Sequence, residues 1–310
     1  MNFSESIKVA LRALGANKLR AALTMLGMII GVGAVIALMS IGKGVQASVT
    51  NQIKGLGTNL LFITPGAQQQ GGVRTQAGSA PTLTAEDAQA IVDSGRVPQV
   101  LAVASEAQNG GQVVANGQNV FTRLNGVTPD YETVRNFHVA DGQFFTRDQM
   151  ESRALVAILG AAAKQNLFSD GDALGQTVRV NQINLRVVGV LESKGAQAQG
   201  NQDDIILVPL TTMQGRLNRN RTARGGGVVN TIYAQLVDDR KETSATAVQA
   251  IGDLLRERHR TAQDDFTIRS QDDLLATANQ ITGFITLFLG SVTGISLLVG
   301  GIGIMNIMLV

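Results

Sequence analysis

A chain of 310 residues with 26 Lys and Arg against 24 Asp and Glu carries almost no net charge, which removes the compositional basis for nucleic-acid binding. It contains no cysteine, so disulfides, thiolate chemistry and Cys-based zinc patterns are excluded. Its charges are unevenly spread: none falls between Ala21 and Gly42, and none between Leu274 and Val310.

Residues 1–20 predict a short amphipathic helix lying on the cytoplasmic membrane face. Ser4 can cap it, and Phe3, Ile7, Leu11 and Leu14 recur at helical spacing, largely apart from Lys8, Arg12 and Lys18. The uncharged run 21–42 is long enough to cross ~30 Å of hydrocarbon at ~1.5 Å per residue. A cleaved signal peptide is the competing reading. The run exceeds a signal core of roughly 7–15 residues and no Ala-x-Ala cleavage site lies between Ala37 and Lys43, so a retained transmembrane helix fits better. Four Lys or Arg against Glu5 alone precede it, and the positive-inside rule then puts the N-terminus in the cytoplasm and residues 43–273 outside. The chain is expected in the bacterial cytoplasmic membrane, in contact with lipid.

The first helix is expected to continue as a stalk to about residue 56, with Val45, Val49, Ile53 and Leu56 on one apolar stripe and Gly55 and Gly57 as a stop. A strand over 60–64 ends at Pro65-Gly66, and the Gly/Gln/Ser-rich stretch 68–81 reads as a mobile loop. Thr84 caps a helix to about Asp93, with Glu86 and Asp87 in its first turn. Strands are predicted at 100–104, 112–115 and 120–127, the last two joined by an Asn116-Gly117 hairpin turn. A strand over 154–160 runs into a helix over 161–168, a hairpin follows over 178–180 and 185–190, and 205–210 is a further strand. Gly225-Gly226-Gly227 reads as a flexible joint before strand 231–237, helix 245–258 and strand 266–269.

This order predicts an α+β extracytoplasmic domain flanked by two transmembrane α-helices: residues 57–135 and 228–272 form a split lobe, and 136–227 a second lobe inserted in it. Residues 273–310 form the second stalk segment, with Leu274, Ala278 and Ile281 opposite the first, and then the second transmembrane helix.

The search for chemistry yields no catalytic, cofactor or metal site. His138 and His259 lack ligand spacing and read as surface or structural residues, while Asp203-Asp204 and Asp264-Asp265 read as solvated charge. Gly42-Lys43-Gly44 lacks the first glycine and the hydroxyl residue of a phosphate-binding loop, so the chain is expected to bind no ATP itself. Arg216, Arg219, Arg221 and Arg224 crowd one loop, which either docks an acidic partner or is simply solvated. Gly27 with Gly31 and Gly290 with Gly294 are small-residue pairs suited to close helix packing, and Asn306 is expected at a helix interface rather than in lipid.

The stretch from Ser296 to Val310, with Val299-Gly300-Gly301-Ile302-Gly303-Ile304-Met305-Asn306-Ile307-Met308, resembles the second transmembrane helix of the MacB-type permeases, the FtsX-like family of ABC transporters. Asn17 to Val32 resembles that family's first helix, and Leu56-Gly57-Thr58-Asn59 with Pro65-Gly66 resembles the start of its external core. The resemblance implies a homodimeric or heterodimeric permease driven by a separate cytoplasmic ATPase subunit. It also implies that the split lobe is porter-like, and that a periplasmic adaptor and an outer-membrane channel are candidate further partners. The implied mechanism is mechanotransmission, in which ATP hydrolysis moves the stalk and reshapes the external domain for efflux. Members continue into two more spans, so a chain stopping at Val310 is read as an incomplete permease. A membrane-tethered sensor or binding module is the alternative function.

Overall fold

The computed structural model describes residues 18–55, 57–66, 69–70, 73–74, 81–197, 200–222, 225–261 and 264–309. The amphipathic helix expected before residue 18, Leu56, Arg224 and most of the loop 68–81 lie outside them. The described residues divide into two units, one of the chain's two ends and one covering Gln52–Leu274.

The end unit is built from two long helices, α1 (Lys18–Gly55) and the helix that closes the chain, Gln271–Leu309. Each is long and apolar enough to cross a membrane, over Ile29–Asn51 and Gln271–Ile295 respectively. Their apolar side chains are bare: Ile29 is 68% exposed and Phe284 74%. Such an array is unfavourable in water and natural in hydrocarbon.

The second unit contains, in chain order, β1 (Leu60–Pro65), β2 (Gln69–Gln70), β3 (Val73–Arg74), α2 (Ala85–Asp93), β4 (Val100–Ala115), β5 (Gln118–Val127), α3 (Tyr131–Val134), β6 (Val139–Gly142) and α4 (Arg147–Glu151). Then come β7 (Val156–Leu159), α5 (Ala161–Phe168), β8 (Thr177–Val180), β9 (Ile183–Leu191), β10 (Ala196–Gln197), β11 (Gly200–Asn201), β12 (Ile205–Pro209) and α6 (Leu210–Thr212), which runs into a π-turn over Met213–Leu217. The unit finishes with β13 (Thr231–Leu236), α7 (Lys241–His259) and β14 (Phe266–Ser270), which leads into α8 (Gln271–Leu309).

One mixed sheet organises this unit, in the order β14-β1-β13-β4-β5-β12-β7-β9-β6, with β8 against β4 and β9. Both of its faces are buried at the central strands, while β8 and the far end of the β4–β5 hairpin alternate buried with exposed residues. Leu61, Ile63, Ile206 and Val208 point into one core, under α2, α5 and α7, while Leu60, Ile205, Leu207 and Tyr233 point into the other, with Tyr131 and Phe145. Burial on both sides explains why β7 and β12 read as unbroken apolar runs rather than alternating ones. Strands from 57–135 and 228–272 fill one end of the sheet order and those from 136–227 the other, joined through β4 and β5.

The Asn116-Gly117 turn is present with both residues at positive φ, 49° and 75°, as a type I′ hairpin requires. Two expectations are corrected. The strands expected at 100–104 and 112–115 are one 16-residue strand, β4, because its first half pairs with β13 and its second with β5, so Gly110 and Gly111 are carried through the ladder. The glycines at 225–227 are not a loose joint: Thr222 N–H donates to the Gly226 carbonyl at 2.8 Å, and side chains at Gly226 and Gly227 would strike Thr84 and Gln214. These glycines permit close approach rather than flexibility.

Candidate functional site

The two long helices contact each other through small and polar residues. The Gln46 amide donates to Asn279 Oδ1 at 3.2 Å, and a Cβ at Gly42 would lie 3.3 Å from Thr286 Oγ1. Around these contacts the less exposed positions recur three, four or seven apart, at Gly31, Val35, Leu38, Gly42 and Val49 on α1 and at Ala278, Thr282, Leu289 and Thr293 on α8. That spacing is the seam of a helix pair. Of the residues assigned to the stalk from sequence, Val49, Leu274 and Ala278 are half-buried, whereas Val45 is 45% and Ile281 56% exposed. Gly31 lies on the seam, and Gly290 and Gly294 face open space. The side chains of Ile53 and Asn306 and the surroundings of Gly27 are outside what the structure describes. Gln46, Asn279 and Thr286 were missed because an apolar stripe was sought where polar and small residues make the contact.

Within the domain, the roots of both helices are held. Lys194 Nζ donates to the Arg135 carbonyl at 2.9 Å and reaches the Gly55 carbonyl at 3.5 Å, placing a cation at the negative C-terminal end of α1. It also lies 3.8 Å from the centroid of the Phe137 ring. Burial, with help from the Arg135 charge, brings the Lys194 ammonium down to about 8. Gly57 follows at φ 125°, where any side chain would strike the Val134 carbonyl. Its own carbonyl accepts from the Gln271 amide at 3.2 Å. Ser270 and Asp273 form a reciprocal cap on α8: Ser270 N–H donates to Asp273 Oδ2 at 2.9 Å, and Asp273 N–H donates to Ser270 Oγ at 3.0 Å. Between the roots, β1 and β14 pair antiparallel from Leu61↔Ser270 to Pro65↔Phe266.

Behind them lies a buried polar network. Glu106, 7% exposed, accepts from the hydroxyls of Tyr233 at 2.6 Å and Tyr131 at 3.1 Å and from the Asn125 amide. The Arg135 guanidinium sits 4.5 Å from the centroid of the Tyr233 ring. Burial, and after it the Glu106 charge, pushes both tyrosine hydroxyls up, so they remain donors.

A second network lies at the other end of β1 and β14. His259, 2% exposed, places Nδ1 2.7 Å from Asp265 Oδ1 and Nε2 3.1 Å from Asp87 Oδ2. Satisfying both carboxylates needs an N–H on each ring nitrogen, which only the cation has. The hydrogen bonds to Asp265 and then Asp87 raise the imidazole to about 9. Burial pushes the Asp87 carboxyl up, but hydrogen bonds from His259, Arg258 and Thr84 outweigh it and bring the group down to about 2. Asp87 thus serves both the α2 cap expected from sequence and this clasp.

The acidic pairs read as solvated charge are corrected in part: Asp264 is exposed, whereas the other three are held by partners within the domain. Asp203 is buried and accepts from Ser193 Oγ at 2.6 Å and from the backbone N–H groups of Lys194 and Gly195. Asp204 takes Thr122 Oγ1, Asp264 pairs with Arg256 at 2.6 Å, and Asp265 belongs to the clasp. His138 is exposed beside Asn136. Arg216, Arg219 and Arg221 are exposed, with Arg221 donating to the Gly225 carbonyl at 2.8 Å. No group of three or more metal-binding side chains occurs among the described residues.

The model of the MacB-like periplasmic core domain matches residues 21–254. The chain is 41% identical over 307 residues to a macrolide export ATP-binding/permease protein MacB from Azoarcus sp. (strain BH72), covering 99% of this chain and 44% of that protein. A MacB protein from Hyphomonas neptunium is 40% identical over 309 residues, covering 99% and 45%. The chain therefore spans less than half the length of these relatives. Among solved structures, the periplasmic region of MacB from Actinobacillus actinomycetemcomitans superposes with a TM-score of 0.58 at 22% identity, covering 74% of this chain and 97% of that one. The extracellular domain of the noncanonic ABC-type transporter YknZ from Gram-positive bacteria gives 0.54 at 17% identity, covering 68% and 100%. These two likenesses carry the fold alone. With a family model matching most of its length, the chain belongs to the MacB-like periplasmic core domain family.

Proposed function

We propose that this chain is permease material of a MacB-type ABC exporter, in which ATP hydrolysis outside this sequence drives α1 and α8 and reshapes the extracytoplasmic domain. One observation carries the reading. β14 runs directly into α8, only four residues separate α1 from β1, and the two strands are hydrogen-bonded neighbours in one sheet; Lys194 reaches the Gly55 carbonyl at 3.5 Å and Ser270 with Asp273 caps α8. A displacement of either helix is then passed to the sheet through short, hydrogen-bonded junctions.

The relatives' name joins ATP binding to permease function, and no phosphate-binding loop occurs in this sequence. ATP is therefore expected on a separate subunit or a separate domain. The sheet order supports two lobes meeting at β4 and β5. A dimeric assembly, an adaptor and an outer-membrane channel belong to the same reading, with the exposed arginines at 216, 219 and 221 as a candidate docking loop. The N-terminus faces the cytoplasm and the domain lies outside.

The absence of native cysteine makes the topology testable without background. Single cysteines at Ser6 and at Gln118, an exposed position on β5, should label oppositely with an impermeant thiol reagent: Gln118→Cys in intact spheroplasts, Ser6→Cys only after permeabilisation. Labelling of Ser6→Cys in intact spheroplasts would overturn the orientation.

A further inference from the structure

The sheet has an open edge inside the domain. β4 pairs with β13 over its first half, but its pairing with β5 begins only at Glu106↔Val127. At the junction Ser105 is satisfied by Thr128: Ser105 N–H donates to Thr128 Oγ1 at 3.1 Å, and Thr128 N–H donates to the Ser105 carbonyl at 3.3 Å. Backbone groups two residues apart on a strand point to the same side, so the N–H and carbonyl of Val103 face that same edge. Among the described residues no strand lies beside them. Leu101 is the extra residue of a bulge, since Gln235 pairs with Ala102 and Leu236 with Val100, and its side chain is 64% exposed.

This edge forms one wall of a cleft of about 400 Å³. α2 makes a second wall, with Ala88, Gln89 and the 44%-exposed Val92, and α4 a third, with Arg147, Met150 and Glu151. The walls therefore come from the two sequence segments read as separate lobes. The lining has a carboxylate excess: Arg147 is matched by Asp130 at 3.6 Å, and Glu151 adds a further negative charge.

We propose that this cleft binds an extended polypeptide segment, which adds a strand to the open edge at Val103. The unpaired N–H and carbonyl specify a backbone partner in the plane of the sheet. Val92, Leu101 and Met150 specify small or medium apolar side chains on alternate residues. The carboxylate excess favours a Lys or Arg on the segment beside Glu151. Because the walls belong to both segments, a bound strand ties them together. The inference deepens the transport reading by giving the domain a ligand class, but its test reads binding alone and is independent of ATP coupling.

The probe is an acetylated heptapeptide, Lys-Val-Thr-Val-Thr-Val-Lys, added to the full chain in nanodiscs, with binding read by fluorescence anisotropy and backbone amide exchange. The expected result is saturable binding that slows exchange of the Val103 amide by about tenfold or more. The same peptide with proline at its centre should bind at least about fivefold more weakly, having lost an edge hydrogen bond. Val103→Pro removes the donor on the open edge without removing one from the β13 ladder, and should weaken binding to a similar degree. If that variant does not fold, Leu101→Glu serves instead: it adds a like charge at the exposed mouth and should weaken the lysine peptide, with recovery when glutamates replace the lysines. Absence of saturable binding, or binding that leaves Val103 exchange unchanged, would overturn the proposal.

Discussion

The helix pair and the domain it carries are held together by different means. Between α1 and α8 the contacts are small and polar, among them the Gln46 to Asn279 hydrogen bond and a close approach at Gly42 and Thr286, while many large apolar residues are exposed. In the domain the central strands are covered on both faces, and charged residues sit in networks that cross between elements, such as Glu106 with Tyr131 and Tyr233, or His259 with Asp87 and Asp265. On the proposed reading the lightly bonded pair slides, and the cross-braced sheet moves as a body when β1 and its edge neighbour β14 are displaced.

The sharpest way to break that contrast is to remove the brace. Glu106→Leu would leave two buried tyrosine hydroxyls and the Asn125 amide without their acceptor and Arg135 without its nearest anion, at a cost of about 3–5 kcal/mol. Urea unfolding followed by circular dichroism should show the midpoint fall, and a loss below about 1 kcal/mol would mean that the network is not a brace.

A smaller effect is expected at the far clasp, and it carries a pH signature. The folded-state value of His259 lies above the free value of 6.5, so its contribution is complete below pH 6.5 and disappears as pH climbs through about 9. Asp87 works in the opposite direction, being complete above 3.8 and lost as pH falls through about 2. His259→Gln should cost about 2–3 kcal/mol at pH 6 and far less at pH 9.5. A loss that is the same at both pH values would contradict the cationic clasp.

The smallest effect belongs to the helix pair. Asn279→Leu removes an interhelical hydrogen bond and should lower stability by roughly 0.5–1 kcal/mol, the usual scale for such bonds near a bilayer. Thermal denaturation in nanodiscs would read it, and a collapse of several degrees or more would place the stalk among the rigid parts.

The same contrast governs how much the sequence disclosed. Charge-free runs, the Thr84 cap and the Asn116-Gly117 turn are local signals, and they located both long helices, α2 and the β4–β5 hairpin. The lone His259 and the adjacent pairs Asp203-Asp204 and Asp264-Asp265 carried no local signal, because their partners lie on other elements, with Asp87 172 residues from His259. The separate strands expected at 100–104 and 112–115 are joined because pairing with β13 and then β5 carries β4 across the residues between them. On α1 the seam includes Val49, while Gln46 beside it makes a polar contact that an apolar stripe does not mark.

Whether the helix pair moves against itself while the domain follows is tested most directly by locking the seam. Gly42→Cys with Thr286→Cys sets two thiols within reach of a disulfide in an otherwise cysteine-free chain. In the transporter assembled with its ATPase and any remaining spans, oxidation should stop ATP-driven export and reduction should restore it. Full export by the oxidised, cross-linked protein would contradict the account.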